Sequence, residues 1–444
     1  MFGISVSDAA KICNGTLSSS LNSDREIKRI VYDSRSVSDG DLFVAYKGAS
    51  VDGHNFIKKA FENGALTALA EYVPDGLDNY PIIVVEDVQK ALEAITAAFR
   101  LCIDCPIIGV TGSVGKTTTK EMIASILSQY CKVHKTDGNH NNLIGVPCSM
   151  SGIDQDDDVA VIEMGISIPG EMDRLGAMVR PGIMVYTNIG HTHLEFLKNL
   201  DGVFNEKISA LKYMHDDSTV IFNGDDEYFK SYNCSQRKIL YGKGENCDVR
   251  AVNITDDENI HVSFNIIYKD RKIHVKLPVF GHQMVYAALA GAAVGFVLGL
   301  SDEDIINGIA SFEIVGRRLS VVDTGYITLI DDCYNSNLDS CKASIESFTN
   351  IPGHHVAIIG DFLEQGDNSI AQHLEIGKFA KDQNVDLVIG VGQFGEYTSD
   401  IHYGKNTELI PDLNKYIKKG DIVLVKGSLG VHLDIVSDEL KKLC

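Results

Sequence analysis

The chain is short of positive charge: 40 lysines and arginines stand against 61 aspartates and glutamates, a formal net charge of −21 over 444 residues. A nucleic-acid binder needs a basic face to displace counterions from phosphates, so that class is excluded. Any phosphate site must be local, built from a few lysines, backbone amides or a metal. Metal-ligand spacing is also lacking among the ten cysteines. Cys102 and Cys105 form a C-x-x-C, but no second pair follows at zinc-ribbon distance. The cysteines read as reduced residues of a cytoplasmic protein. The opening MFGISVSDAAKICNG has no charged n-region or apolar h-region, so no signal peptide is expected. The longest apolar run, Val285 to Leu300, is short for a membrane span and interrupted by glycines; it reads as a buried core helix. Low-complexity segments and short-period repeats are absent.

What is present is alternation. The length exceeds what one hydrophobic core serves, so several domains are expected. Residues 1–100 mix short strands with helices: IVYDSRSV and DLFVAYKG read as strands, DGHNFIKKAFENGA as a turn into a helix ended by glycine. From 101 to 314, PIIGVT, CKVHKT, DVAVIEM and IMVYTN are candidate buried strands. KTTTKEMIASILSQY, PGEMDRLGAM and GVFNEKISALKYM are candidate helices between them. Alternating strand and helix, with strands apolar on both faces, predicts a doubly wound parallel sheet. Between about 239 and 278 strands separated by polar turns predict a small antiparallel subsheet. From 315 to 444 alternation resumes, as expected of a third, Rossmann-like α/β domain.

The strand PIIGVT runs into Thr111-Gly112-Ser113-Val114-Gly115-Lys116-Thr117-Thr118 and then a helix. Such a loop turns several backbone N–H groups toward one point, and the helix N-terminus adds partial positive charge, so an anion binds there. Gly112 and Gly115 admit close approach of phosphates, Lys116 reaches the β and γ phosphates, and the Thr117 hydroxyl can ligate Mg²⁺. Val110 occupies the place of the first glycine in the strict phosphate-loop pattern. Glu163 ends the strand DVAVIEM, where a parallel sheet faces its ligand crevice. His191 and His193 follow the next strand, and either one, beside Glu163, is a candidate Mg²⁺ or phosphate contact. Lys207 by itself reads as an ordinary helix lysine.

Four segments in order, GVTGSVGKTTTKEMI, EMGISIPGEMDRL, TNIGHTHLE and DDCYNSNLDS, resemble the Mur ligases. DSRSVSDGDLFVAYKGASVDGHNF, GDFLEQGDNSIAQH and VLVKGS extend the likeness over nearly the whole chain. The resemblance implies three domains and an ATP-dependent, ADP-forming ligase of peptidoglycan precursor synthesis. Its substrates would be ATP, a UDP-N-acetylmuramoyl tripeptide and D-alanyl-D-alanine, and a monomer is expected. Gly112, Ser113, Val114, Gly115, Lys116, Thr117 and Thr118 would bind ATP. Thr117, Glu163, His193 and Lys207 would hold two Mg²⁺ ions, Lys207 as a carbamate, with Lys116, Lys207 and His193 as the catalytic set. A carbamate turns a cation into an anionic ligand, which accounts for a lysine among metal ligands. Asn139, Asn141 and Asn142 would face the substrate, and Ser34 and Arg35 its uracil and diphosphate end. Arg317, Asp332, Tyr334 and Asn335 would close over the nucleotide. The family's H-N-V-x-N-A reads Gln283-Met284-Val285-Tyr286-Ala287-Ala288 here, so Ala287 stands where an adenine-facing asparagine is expected. Leu338, Gln365 and Leu429 also depart from common family residues. The alternatives are a sibling ligase adding one amino acid, which the absence of D-N-P-R and the stretch PGEMDRL disfavour, and a regulatory P-loop NTPase.

Overall fold

The computed structural model describes residues 3–48, 51–257, 260–399 and 401–443. It contains three sheets, whose strands lie within residues 16–84, 107–277 and 320–426. The first sheet has five short strands in the order 16–17, 82–84, 67–70, 42–44 and 30–31; only the first pairing is antiparallel. IVYDSRSV supplies just two strand residues, Ile30–Val31, before the chain turns. DGHNFIKKAFENGA forms a 3₁₀ turn, Gly53–Phe56, and the helix Ile57–Glu62.

The central sheet has nine strands in the order 271–277, 262–268, 249–256, 237–242, 219–223, 183–186, 107–111, 159–163 and 133–135. Seven of them, from 249–256 to 133–135, pair in parallel. Val262–Tyr268 and Arg271–Leu277 extend the same sheet antiparallel. These two bury alternate residues, since only one face is covered. Ile107–Thr111, Val159–Glu163, Ile183–Tyr186 and Thr219–Asn223 are buried at every position. Val133–Lys135 departs from the expected burial because it is the edge strand and is only partly covered. The glycine-bearing apolar run forms the helix Met284–Leu298, buried along most of its length. Gly291 brings it against Met122 and Ile126 of the helix Lys116–Leu127. Among the described residues no helix is long and apolar enough to cross a membrane.

The third sheet runs 320–323, 328–332, 422–426, 355–360, 387–391 and 401–403, parallel except at its first pair. The helix Val88–Leu101 couples the first unit to the second. Its Leu92, Ile95 and Phe99 share a core with Val146, Met172 and Leu175, and Arg174 pairs with Glu93. Strands 107–111, 159–163 and 183–186 are adjacent and parallel, so their C-terminal ends open on one crevice, as doubly wound sheets do.

Candidate functional site

The phosphate loop is built by the strand Ile107–Thr111 and the helix Lys116–Leu127. At Gly112, φ +149°, a Cβ would lie 1.8 Å from the Thr187 hydroxyl, so no side chain fits. Gly115 caps the helix at φ 83° with open space around it. The neighbouring strand end fixes the loop. Asn188 accepts from Ser113 N–H through its carbonyl and from Val114 N–H through its side chain, both at 2.9 Å. Thr187 Oγ1 donates to the Val114 carbonyl at 2.6 Å. The helix geometry leaves the first-turn N–H groups of Lys116, Thr117 and Thr118 without intrahelical partners, pointing into the crevice. Lys116 Nζ folds back on the carbonyls of Gly112 and Ser113, at 2.9 and 3.3 Å. Burial pulls this ammonium below the ordinary lysine value against the opposing attraction of Glu163, and the Arg318 guanidinium adds to the fall.

Glu163, 1% exposed, stands beside the loop. Its Oε1 accepts from Thr117 Oγ1 at 3.2 Å and from Asn141 Nδ2 at 2.7 Å. Its Oε2 is buried with no hydrogen-bond partner among the described residues. An unpartnered carboxylate oxygen in such a place is costly unless a cation or donor satisfies it. No group of three or more His, Cys, Asp or Glu side chains that could hold a metal gathers among the described residues. A single carboxylate with a threonine hydroxyl next to a phosphate loop suits magnesium, which takes one or two carboxylates plus phosphate oxygens and water.

A cleft of about 700 Å³ joins these groups to the C-terminal unit. Ser113 to Thr118, Asn139, Asn141, Asn142, Glu163 and His193 line it from the central unit; Asp332, Tyr334 and Asn335 line it from the C-terminal one. Asp332 is pinned by Lys426 at 2.6 Å and Ser344 at 2.7 Å. His193, at φ 55°, bonds Glu364 through Nδ1 at 2.5 Å, and that bond holds the Glu364 carboxyl below its ordinary value. His191 is bonded instead to Asp339, at 3.0 Å.

Five residues expected at the site stand apart from the cleft lining: Gly112, which is pressed against Thr187, and Lys207, Ser34, Arg35 and Arg317. Lys207 is 1% exposed, with no hydrogen bond or ion pair to its ammonium among the described residues. Burial first, then repulsion from Lys116, drives its pKa well below the ordinary lysine value. Ser34 is buried with its carbonyl accepting from Asn63, while Arg35 is exposed and pairs with Asp33. Both belong to the first unit, which meets the asparagine loop through Tyr32 and His140. Arg317 turns away to Asp331 and Asp438. Its neighbour Arg318 takes the cleft position, with the guanidinium 3.6 Å from the Tyr334 ring centroid and an N–H donating to Thr117 Oγ1 at 3.3 Å. Sequence reading missed Arg318 although the G-R-R pair contains it, because nothing local says which arginine faces inward. It also missed Asn188 as the loop's brace and Glu364 as the partner of His193. Near the departures from the family pattern, Gln283, Met284, Tyr286 and Ala287 line the cleft, and the Tyr286 hydroxyl donates to Asp225 at 3.0 Å.

Three family models match the chain: Mur ligase family, catalytic domain, over residues 26–100; Mur ligase middle domain over 110–295; and Mur ligase, glutamate ligase domain, over 317–429. The UDP-N-acetylmuramoyl-tripeptide--D-alanyl-D-alanine ligase of Bacillus subtilis (strain 168) is 30% identical, over 98% of this chain and 98% of that protein. The crystal structure of MurF from Acinetobacter baumannii superposes with a TM-score of 0.91 at 29% identity, covering 99% of both chains. MurF ligase from Thermotoga maritima, solved in complex with ADP, gives 0.83 at 28% identity, over 94% of this chain and 97% of that one. With near-complete coverage at this identity, the chain belongs to the Mur ligase family.

Proposed function

We propose that this chain is an ATP-dependent, ADP-forming ligase that joins D-alanyl-D-alanine to the peptide carboxylate of a UDP-N-acetylmuramoyl tripeptide, in peptidoglycan precursor synthesis. The observation that carries it is the convergence, in one cleft, of a phosphate loop, a carboxylate with an unsatisfied oxygen and an arginine delivered from another domain. The names of the full-length relatives supply the substrates. Three units, near 1–100, 101–314 and 315–444, suit three ligands: the UDP-sugar end on the first with Ser34 and Arg35, ATP on the second, and the third closing over both.

A carboxylate is a poor electrophile, so the reaction must first activate it. One carboxylate oxygen attacks the γ-phosphorus, the bond to the β-phosphate oxygen breaks, and ADP leaves an acyl phosphate behind. The amine of the dipeptide attacks the carbonyl carbon, the C–O bond to phosphate breaks, and the amine's proton is released with inorganic phosphate. The protein aligns the groups and offsets charge. Lys116 swings from its own loop carbonyls to the phosphates, and the first-turn N–H groups hold the β-phosphate. Arg318, fixed on Tyr334, brings positive charge to the transferring group, while Asn139, Asn141 and Asn142 orient the acceptor carboxylate. Magnesium, which Thr117 and Glu163 would hold, with His193 and Lys207 at a second ion, supplies charge neutralisation of the phosphoryl oxygens. Lys207 suits carbamylation: burial and the repulsion of Lys116 lower its pKa, which favours the amine form that adds CO₂, and a carbamate there would give Lys116 a counter-charge.

The test is an incubation of UDP-N-acetylmuramoyl tripeptide, D-alanyl-D-alanine and ATP read by mass spectrometry. The expected result is a product heavier by one dipeptide less water, with one ADP per bond. ADP release that is indifferent to the two substrates, with no coupled product, would instead mark a regulatory NTPase.

A further inference from the structure

One buried cation has no part in the scheme above. Lys120 lies one turn beyond Lys116 on the same helix and is completely buried. Taking an ammonium out of water costs several kcal/mol, so its surroundings must compensate. They do so with unusual reach. Nζ donates to the carbonyl of Thr136 at 2.5 Å and of Gly138 at 3.3 Å. It pairs with Glu121 at 3.0 Å and lies 4.0 Å from Glu163 Oε2, the oxygen that lacks a hydrogen-bond partner. Thr136 is itself tied to that carboxylate's residue, since its hydroxyl accepts from the Glu163 N–H at 3.0 Å. The chain then carries Asn141, whose amide bonds Glu163 Oε1, and Asn142, whose side chain accepts from the N–H groups of Ile144 and Gly145. One ammonium therefore touches the phosphate-loop helix, the asparagine loop and the carboxylate at once.

We infer that Lys120 is a positioning residue: it fixes the 136–142 loop and Glu163 against the phosphate loop, and through them sets the affinity for the divalent ion that accompanies the nucleotide. The inference rests on the ligase reading for its reaction but not for its binding test. A filler with no such role has a cheaper solution, because apolar groups of similar volume commonly replace a buried ion pair at no cost in stability. Lys120 instead spends its donors on the two carbonyls that precede the asparagines.

The experiment compares Lys120→Met, which keeps the stem and removes the donors, with Glu121→Gln, which keeps the donors and removes the carboxylate that Lys120 and Lys135 share. Nucleotide affinity is measured by calorimetry with a non-hydrolysable ATP analogue, with and without Mg²⁺, alongside thermal unfolding. Lys120→Met should lose about 10- to 100-fold of the enhancement that Mg²⁺ gives to nucleotide binding, the usual consequence of removing a group that orients a metal ligand. Its affinity without Mg²⁺ should be nearly unchanged. Glu121→Gln should unfold at lower temperature and keep the full Mg²⁺ enhancement. Should Lys120→Met fail to fold, Lys120→Met combined with Glu121→Leu removes both charges and serves in its place. An unaltered Mg²⁺ enhancement in folded Lys120→Met, or in the double variant that takes its place, overturns the inference. Absence of coupled product from the unsubstituted protein would count against the ligase reading and leave this binding result standing.

Discussion

Adjacent arginines make the sharpest prediction. Arg318 faces the cleft on the Tyr334 ring and donates to Thr117, whereas Arg317 is consumed by Asp331 and Asp438. Arg318→Ala removes a guanidinium–aromatic contact worth about 0.5–2 kcal/mol and a charge-assisted hydrogen bond of about 1.5–3 kcal/mol. If both are made in the transition state, the loss of about 2–5 kcal/mol lowers kcat/KM for ATP by roughly thirtyfold to a few thousandfold. Arg318→Lys keeps the charge without the planar stack and should recover only part of this. Arg317→Ala should do the reverse. Asp331 is 1% exposed and keeps Lys441 as a partner at 2.7 Å, so the expected cost is in stability, about 1–2 kcal/mol by loss of a charged hydrogen bond. Its kcat/KM should stay within about threefold of the parent, since no cleft contact is lost. Steady-state ADP release at varied ATP, with thermal unfolding of both variants, decides it. Normal kinetics in Arg318→Ala, or a collapse of kcat/KM in a folded Arg317→Ala, refutes the assignment.

Other outcomes follow from the same geometry. Lys116→Ala should abolish product formation and leave the unfolding temperature close to that of the parent, because its ammonium holds only carbonyls of its own loop. Glu163→Gln should raise the Mg²⁺ concentration needed for half-maximal rate by about tenfold or more, read from a metal titration, since an amide replaces an ionised ligand. Lys207→Ala should be inactive and partly restored by added short-chain carboxylate, which supplies the anion a carbamate would provide; no restoration at any carboxylate concentration counts against carbamylation.

The phosphate loop was legible because its chemistry is local: strand, glycines, Lys-Thr and helix lie within a dozen residues, and close approach to Thr187 makes Gly112 obligatory. The sheets were legible where periodicity separated cases, with fully buried strands such as Val159–Glu163 against half-buried ones such as Arg271–Leu277. What sequence does not encode locally is which of two neighbours turns inward. Arg317 and Arg318 differ only in that Asp331 and Asp438 capture one of them from across the C-terminal unit. The His193–Glu364 bond spans 171 positions and the Lys120–Thr136 bond 16. Such contacts exist only once loops from separate elements have met, so no periodicity announces them. Lys207 read as an ordinary helix lysine because its isolation comes from tertiary burial, which residue spacing does not reveal.

Every step of the proposed reaction depends on a carboxylate being activated by phosphoryl transfer. A UDP-N-acetylmuramoyl tripeptide carrying ¹⁸O in its terminal carboxylate, incubated with ATP, Mg²⁺ and D-alanyl-D-alanine, reports this in the phosphate released. One ¹⁸O per phosphate is the predicted result, because the bridging oxygen of the acyl phosphate leaves with it. Unlabelled phosphate would mean that water, not the substrate, attacks ATP, and would contradict the account.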